Sequence, residues 1–139
     1  MPGVMGCFSE DTGLEVEALR GEPGVKSARY AGEQRSFDDN IQKLLTRLKG
    51  VEERGAKFRT VISLIIAGEE HLFEGVCPGH IIKAKRGVHG FGYDPVFVPH
   101  GSVHTFAEMD IKEKNQFSHR KKAMDKLVTY LNTLDKPKI

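Results

Sequence analysis

Tryptophan is absent from this chain of 139 residues, and cysteine occurs only twice, as Cys7 and Cys77. The two cysteines have neither CxxC nor metal-site spacing, so reduced, unpaired thiols are the simplest interpretation. No apolar run reaches membrane-spanning length, because the longest, VISLIIAG, is only as long as a strand. The segment MPGVMGCFSED also lacks the basic and apolar regions of a secretion signal. We therefore expect a cytoplasmic protein with no membrane partner.

Strong charge of one sign is also missing, since the formal net charge is only +2. No RNP-type motif or long basic stripe accompanies the aromatic residues, so we expect no nucleic-acid partner. The composition, 39% hydrophobic and 29% charged, is that of an ordinary globular protein. The length predicts a single domain over residues 1–139.

The first half of the chain shows strand patterns, one helix and a hairpin. We predict that VMGCFSE forms a strand ending at Asp11, that DTG turns, and that LEVEAL forms a second strand. Ser36 is placed to cap a helix that ends before Gly50. The apolar stripe of that helix comprises Phe37, Ile41, Leu44, Leu45 and Leu48. AKFRTVISLIIAG and HLFEGVCPG read as two strands of a hairpin joined by GEE.

The second half predicts two short strands and a final helix. GHIIKAK and PVFVP have strand character, and a helix is expected from about Ser118 to Leu134. Its predicted inward residues are Ala123, Met124, Leu127, Val128, Leu131 and Leu134. Helices before and after several strands favour an α/β or α+β sheet protein.

Two carboxylates, Glu10 and Asp11, fall where we predict that a strand meets a turn. Adjacent residues of a strand point to opposite faces, so these two do not form an acid/base pair by themselves. One of them could bind a hard cation such as Mg²⁺, or it could orient an attacking water. Alternatively, Asp11 caps the turn, because Asp-x-Gly is common in turns.

The segment HGFGYDPVF combines glycines with aromatic rings. On an extended chain Phe91 and Tyr93 would face the same side, and Gly90 and Gly92 would leave room for a flat ligand such as a base. Asp94 could accept a hydrogen bond from a ring N–H. The alternative is a pair of core aromatics followed by a turn.

Cations crowd the segment IKEKNQFSHRKKAM, where Asn115 or Ser118 can begin the final helix. A helix N-terminus favours anions, so positive charge there could hold an anion. The candidate residues are Lys114, His119 and Arg120. The alternative is a solvated basic face, to which we assign Lys121 and Lys122. The glycine-rich segment PGVKSARYAG could bind phosphate or could be a solvated loop.

Seven segments, in order, resemble the inosine/xanthosine triphosphate pyrophosphatase family. They are SEDTGLEVEAL, PGVKSARYAG, AKFRTVISL, FEGVCPG, RGVHGFGYDPVF, TFAEM and EKNQFSHRKKAM. Together they span nearly the whole chain, from Phe8 to about Leu131. The resemblance implies Mg²⁺-dependent hydrolysis of ITP, dITP and XTP to the monophosphate and pyrophosphate, which cleanses the nucleotide pool. It also implies a homodimer.

The resemblance also implies roles for individual residues. Asp11 would be the general base and a metal ligand, and Thr12 would contact the substrate. A base pocket would be formed by Phe91, Gly92, Tyr93, Asp94, Lys114, His119 and Arg120.

The sequence departs from this family at its N-terminal side. The SxNxxK loop and a second metal-site glutamate have no counterpart, so we expect the family's mixed central sheet flanked by helices without its first strand-helix unit. An alternative function follows from this departure, namely a nucleotide-binding or dimerising module without turnover.

Overall fold

The computed structural model describes residues 6–134, with side-chain surroundings from Phe8 onward. The beginning of the predicted first strand, at Val4 and Met5, lies outside the described residues. The elements are β1 (Gly6–Val16), α1 (Phe37–Arg47), β2 (Gly55–Ile66), β3 (Glu69–Ile81), β4 (Phe97–Pro99), α2 (Ile111–Asn115) and α3 (His119–Leu134). The longest 3₁₀ segment, Gly24–Arg29, lies between β1 and α1.

β1 is one continuous strand, so the predicted turn at DTG is wrong. Asp11, Thr12 and Gly13 pair in register with Val61, Thr60 and Arg59 of β2. Gly13 does not form a turn but allows the backbone at Gly24 to approach β1 closely. A Cβ at position 13 would lie 2.6 Å from the carbonyl oxygen of Gly24. Asp11 therefore lies in the middle of a strand and not at its end.

The β2–β3 hairpin is confirmed, but GHIIKAK is not a separate strand. β3 runs without a break to Ile81, and the short β4 pairs with its end. The strand order is β1-β2-β3-β4, and every pairing among the described residues is antiparallel, whereas we expected a mixed sheet. The α/β class with flanking helices is confirmed.

Both long helices pack on the same face of the sheet. The even-numbered residues of β2, from Ala56 to Leu64, are buried on that face. At one end Phe58 packs in a cluster with Ile41 and Leu44 of α1, and at the other end Ile62 packs with Leu127 of α3. The sheet thus carries two apolar clusters, and the segment between them lies under the start of α3.

α1 agrees with its prediction apart from one residue. The Ser36 hydroxyl accepts a hydrogen bond from the Asp39 N–H at 3.2 Å, which caps the helix as expected. Ile41, Leu44 and Leu48 are buried, but Phe37 is 52% exposed and does not belong to the core.

α3 begins where predicted, and Gly75 of β3 lets it approach the sheet closely. A Cβ at position 75 would overlap the His119 carbonyl and lie 2.6 Å from the Ala123 nitrogen. Ala123 and Leu127 face inward as expected. The other predicted inward residues of α3 are exposed: Met124, Val128, Leu131 and Leu134.

Among residues 6–134, no helix has the length and apolar character needed to span a membrane. Cys77 is a free, buried thiol, and burial raises its pKa to about 11. The side chain of Cys7 lies outside the described residues.

Candidate functional site

A cavity of about 260 Å³ lies between β1, the start of α1, the Phe91–Asp94 segment and the start of α3. This volume suits a heterocyclic base better than a whole nucleoside triphosphate. Eight of the nine predicted site residues line it: Thr12, Phe91, Gly92, Tyr93, Asp94, Lys114, His119 and Arg120. Asp11 does not.

The Phe91–Asp94 segment is a tight turn and not the extended chain that we expected. The buried Asp94 carboxylate accepts a hydrogen bond from the Phe91 N–H at 3.1 Å, which closes the turn. Gly90 has φ +82°, and a Cβ there would overlap the Asp94 carboxylate, so glycine is required for this carboxylate and not for a ligand. Tyr93 is buried, and its hydroxyl donates to the Ser27 carbonyl at 2.7 Å.

We predicted that Lys114 lies at the first turn of the final helix. It belongs instead to the short helix α2. Its ammonium group donates to Asp94 Oδ2 at 2.9 Å, and the Asp94 side chain in this pair is only 6% exposed. The same ammonium lies 5.4 Å from the centre of the Phe91 ring. Lys114 therefore has a carboxylate partner, and its ammonium group also makes a cation–π contact with Phe91 in the wall of the cavity.

His119 is buried at the N-terminus of α3 and stacks on Phe58, with ring centres 4.7 Å apart and 13° between the planes. Its Nδ1 is buried without a hydrogen-bond partner among the described residues. Burial, and then the charges of Arg120, Lys114 and Lys122, lower the pKa of His119 to about 3. The imidazole is therefore neutral near pH 7, and it can both donate and accept a hydrogen bond.

Arg120 reaches from α3 across the cavity. Its guanidinium lies 4.8 Å from the centre of the Phe91 ring, and its Nε is 2.8 Å from a carboxylate oxygen of Glu10. Glu10 thus faces the cavity side of β1, as Thr12 does. The Thr12 hydroxyl shares a hydrogen bond of 2.8 Å with the buried hydroxyl of Thr60.

Asp11 points to the opposite face of β1, as strand alternation requires. It is exposed there and lines a separate shallow hollow with Glu15, Arg59 and other residues. Thr12 and Gly13 line both hollows, so the two adjoin at this point of β1. Within the described part of the chain, no group of three or more His, Cys, Asp or Glu side chains is arranged to hold a metal.

Several lining residues were not predicted from sequence. Phe37, Asn40 and Phe58 contribute side chains from α1 and β2. Asn40 is buried, and it accepts from the Ala31 N–H at 2.8 Å and donates to the Ala28 carbonyl at 3.0 Å. In the sequence Asn40 is a polar residue between Phe37 and Ile41 of the predicted stripe, and this position does not indicate a place in the cavity wall.

The fold and the cavity together define a class. This is an α/β protein with a one-sided antiparallel sheet and an aromatic cavity whose cations are paired with carboxylates. The Ham1 family pattern matches residues 2–130, and the chain belongs to that family. The resemblance found in the sequence is thereby confirmed.

Curated relatives and solved structures agree with this family. The chain is 51% identical over 126 residues to the dITP/XTP pyrophosphatase of Christiangramia forsetii, covering 91% of this chain and 66% of that one. The Flavobacterium psychrophilum dITP/XTP pyrophosphatase is 54% identical over 124 residues, covering 89% and 65%. The Staphylococcus aureus Ham1 protein superposes with a TM-score of 0.90 at 42% identity, covering 94% and 68%. The chain thus spans about two thirds of the length of these relatives.

Proposed function

We propose that this protein acts in the hydrolysis of non-canonical purine nucleoside triphosphates, dITP, ITP and XTP, to the monophosphate and pyrophosphate. The observation that carries the proposal is the cavity, which gathers Phe91, Lys114, His119 and Arg120 around a space of base size. Relatives named dITP/XTP pyrophosphatase, about half identical over most of the chain, support the same substrate class. We propose a homodimer in the cytoplasm as its working form.

Recognition of the base would rest on hydrogen bonding inside the cavity. A 6-oxo purine presents an acceptor oxygen next to an N–H donor, and neutral His119 can match either group. His119 lines the cavity, and its buried Nδ1 has no hydrogen-bond partner in residues 6–134, so a bound base that reaches this atom would satisfy it. A 6-amino purine offers no acceptor at that position, so it would leave donors unpaired.

The phosphates would leave the cavity past Thr12 and Gly13, where the second hollow begins, and approach Asp11. A Mg²⁺ ion is commonly held by one or two carboxylates together with substrate phosphates. Asp11 would be the one protein carboxylate that binds the ion, and it could also accept a proton from the attacking water. When bound, the ion would offset the repulsion between an oxygen nucleophile and the polyanion.

A second candidate function is binding without turnover. The observation that favours it is the separation of Asp11 from the cavity, combined with the lack of a metal-holding cluster in residues 6–134. Such a module would recognise the base and leave the phosphates uncleaved.

The test measures pyrophosphate release from dITP and from dATP by the full chain in the presence of Mg²⁺, alongside the affinity for IMP. Release from dITP well above that from dATP supports hydrolysis. Tight IMP binding without release from dITP would favour the second candidate. Failure to bind IMP, dITP or XTP would contradict both.

A further inference from the structure

Phe37 is an aromatic residue in an unusual position. It is the first residue of α1, where its capped helix would otherwise place it on the apolar stripe, yet its side chain lies outside the core. It is 52% exposed, and it is one of the residues that line the cavity. Burial accounts for only about half of the ring surface, and the other half is accessible to a ligand.

Phe37 faces the other exposed aromatic of the cavity. The ring centres of Phe37 and Phe91 are 6.4 Å apart with 39° between their planes, and Phe91 is 49% exposed. This is a contact distance for an aromatic pair. The cations of Lys114 and Arg120 lie against Phe91 and not against Phe37 among the described contacts. The two rings therefore differ: one has cationic partners, and the other remains available to a ligand.

The start of α1, which carries Phe37, is stabilised by a cap, a surface ion pair and a buried polar side chain. The Ser36 cap stabilises the first turn, and the neighbouring Asp38 carboxylate accepts a hydrogen bond from the Lys85 ammonium at 2.8 Å. Asn40, one turn on, is buried and bonded to the Ala28 and Ala31 backbone. A rigid support lowers the entropy lost when a ring engages a ligand.

We infer that Phe37 is a base-binding residue, which packs against the purine at the mouth of the cavity and contributes affinity without taking part in phosphate cleavage. This inference rests on the proposed function, because it assumes that a purine enters the cavity. Base–aromatic packing of this kind depends on the ring and not on the number of phosphates.

The experiment compares Phe37→Ala with the unmodified chain in binding of IMP and of ITP, followed by calorimetry. We expect about a 5-fold weaker affinity for both nucleotides, the size of one modest base–ring contact. Phe37→Tyr keeps the ring and should restore most of the affinity. Phe8→Ala, which removes a 65% exposed phenyl group that does not line the cavity, is the matched control and should change neither affinity.

The outcomes separate this inference from the proposed function. Unchanged affinity in Phe37→Ala, or a loss confined to ITP, would overturn the inference and leave the proposed function standing. An unmodified chain that binds neither IMP nor ITP would overturn both. Because Phe37 lies outside the core, its variant should retain the unfolding midpoint of the unmodified chain, which excludes a folding defect as the cause of any loss.

Discussion

The two sides of β1 differ in the burial of the charged side chains that lie near them. On the cavity side, Arg120 pairs with Glu10 of β1, and the nearby pair of Lys114 with Asp94 contains a carboxylate that is almost fully buried. On the opposite side, Arg59 joins Glu15 and Glu74 in a half-exposed network, and Asp11 lies nearby in open solvent. Burial fixes the geometry of the Lys114–Asp94 pair, whereas the Arg120–Glu10 pair and the Arg59 network are both partly screened by water. Under the proposed function, base selection and phosphate chemistry would occupy opposite sides of one strand.

The largest expected effect comes from Asp11→Asn. If Asp11 accepts the proton from water or holds the metal, this change should lower pyrophosphate release from dITP by about 10²- to 10⁴-fold. Affinity for IMP should stay within about 2-fold, because Asp11 does not line the cavity. Initial rates and calorimetry measure the two effects. Retained turnover would contradict the assignment, and a parallel loss of IMP binding would remove the distinction between the two sides.

The free energy of unfolding should also respond differently to the loss of a cation on each side of β1. Lys114→Met leaves the buried Asp94 carboxylate without its cation, so we expect a loss of about 3 kcal/mol in the free energy of unfolding. Arg59→Met removes a cation from half-exposed carboxylates, and a loss below about 1 kcal/mol is expected. Urea denaturation of both variants gives the values. Equal losses would show that burial does not distinguish the two sides.

A gradual effect is the pH dependence of stability that His119 contributes. Its pKa is about 3 in the fold and near 6.5 when unfolded, because burial disfavours the charged form. The unfolded chain therefore binds more protons between these values, and the free energy of unfolding contributed by His119 falls as pH drops from 6.5 towards 3. The slope is at most about 1.4 kcal/mol per pH unit.

The control for this dependence is His119→Gln, whose stability should fall less steeply over the same pH window. Denaturation curves of both proteins at several pH values measure the difference. If NMR showed the His119 ring to be protonated at pH 5, the buried neutral imidazole would be the wrong description of the cavity.

The sequence predicted the elements that depend on local signals. The Ser36 cap, the β2–β3 hairpin and the start of α3 follow from capping and periodicity, which act over a few residues. The turn at DTG was wrong because the Asp-x-Gly pattern resembles a turn, while pairing with β2 keeps the strand extended. That pairing depends on residues far along the chain, which a local pattern does not contain.

The site was predicted as a set of residues but not as a geometry. Motif resemblance gathered eight cavity-lining residues, yet the separation of Asp11 follows from β1 being continuous, which the predicted turn concealed. Phe37 was assigned to the core because its spacing fits the stripe of α1. Periodicity gives a direction around the helix axis, but it does not tell whether the sheet extends far enough to cover the first turn.

Gly75 shows how a residue that touches no ligand can control what the cavity accepts. Any side chain at this position would clash with the backbone of α3 at His119 and Ala123. The absence of a side chain therefore sets how closely the helix packs on the sheet. A substitution at this point would lift the imidazole away from its seat on Phe58 and enlarge the space beneath it. If the cavity binds a purine base as proposed, discrimination between bases would then weaken, although every side chain around the cavity opening remained unchanged.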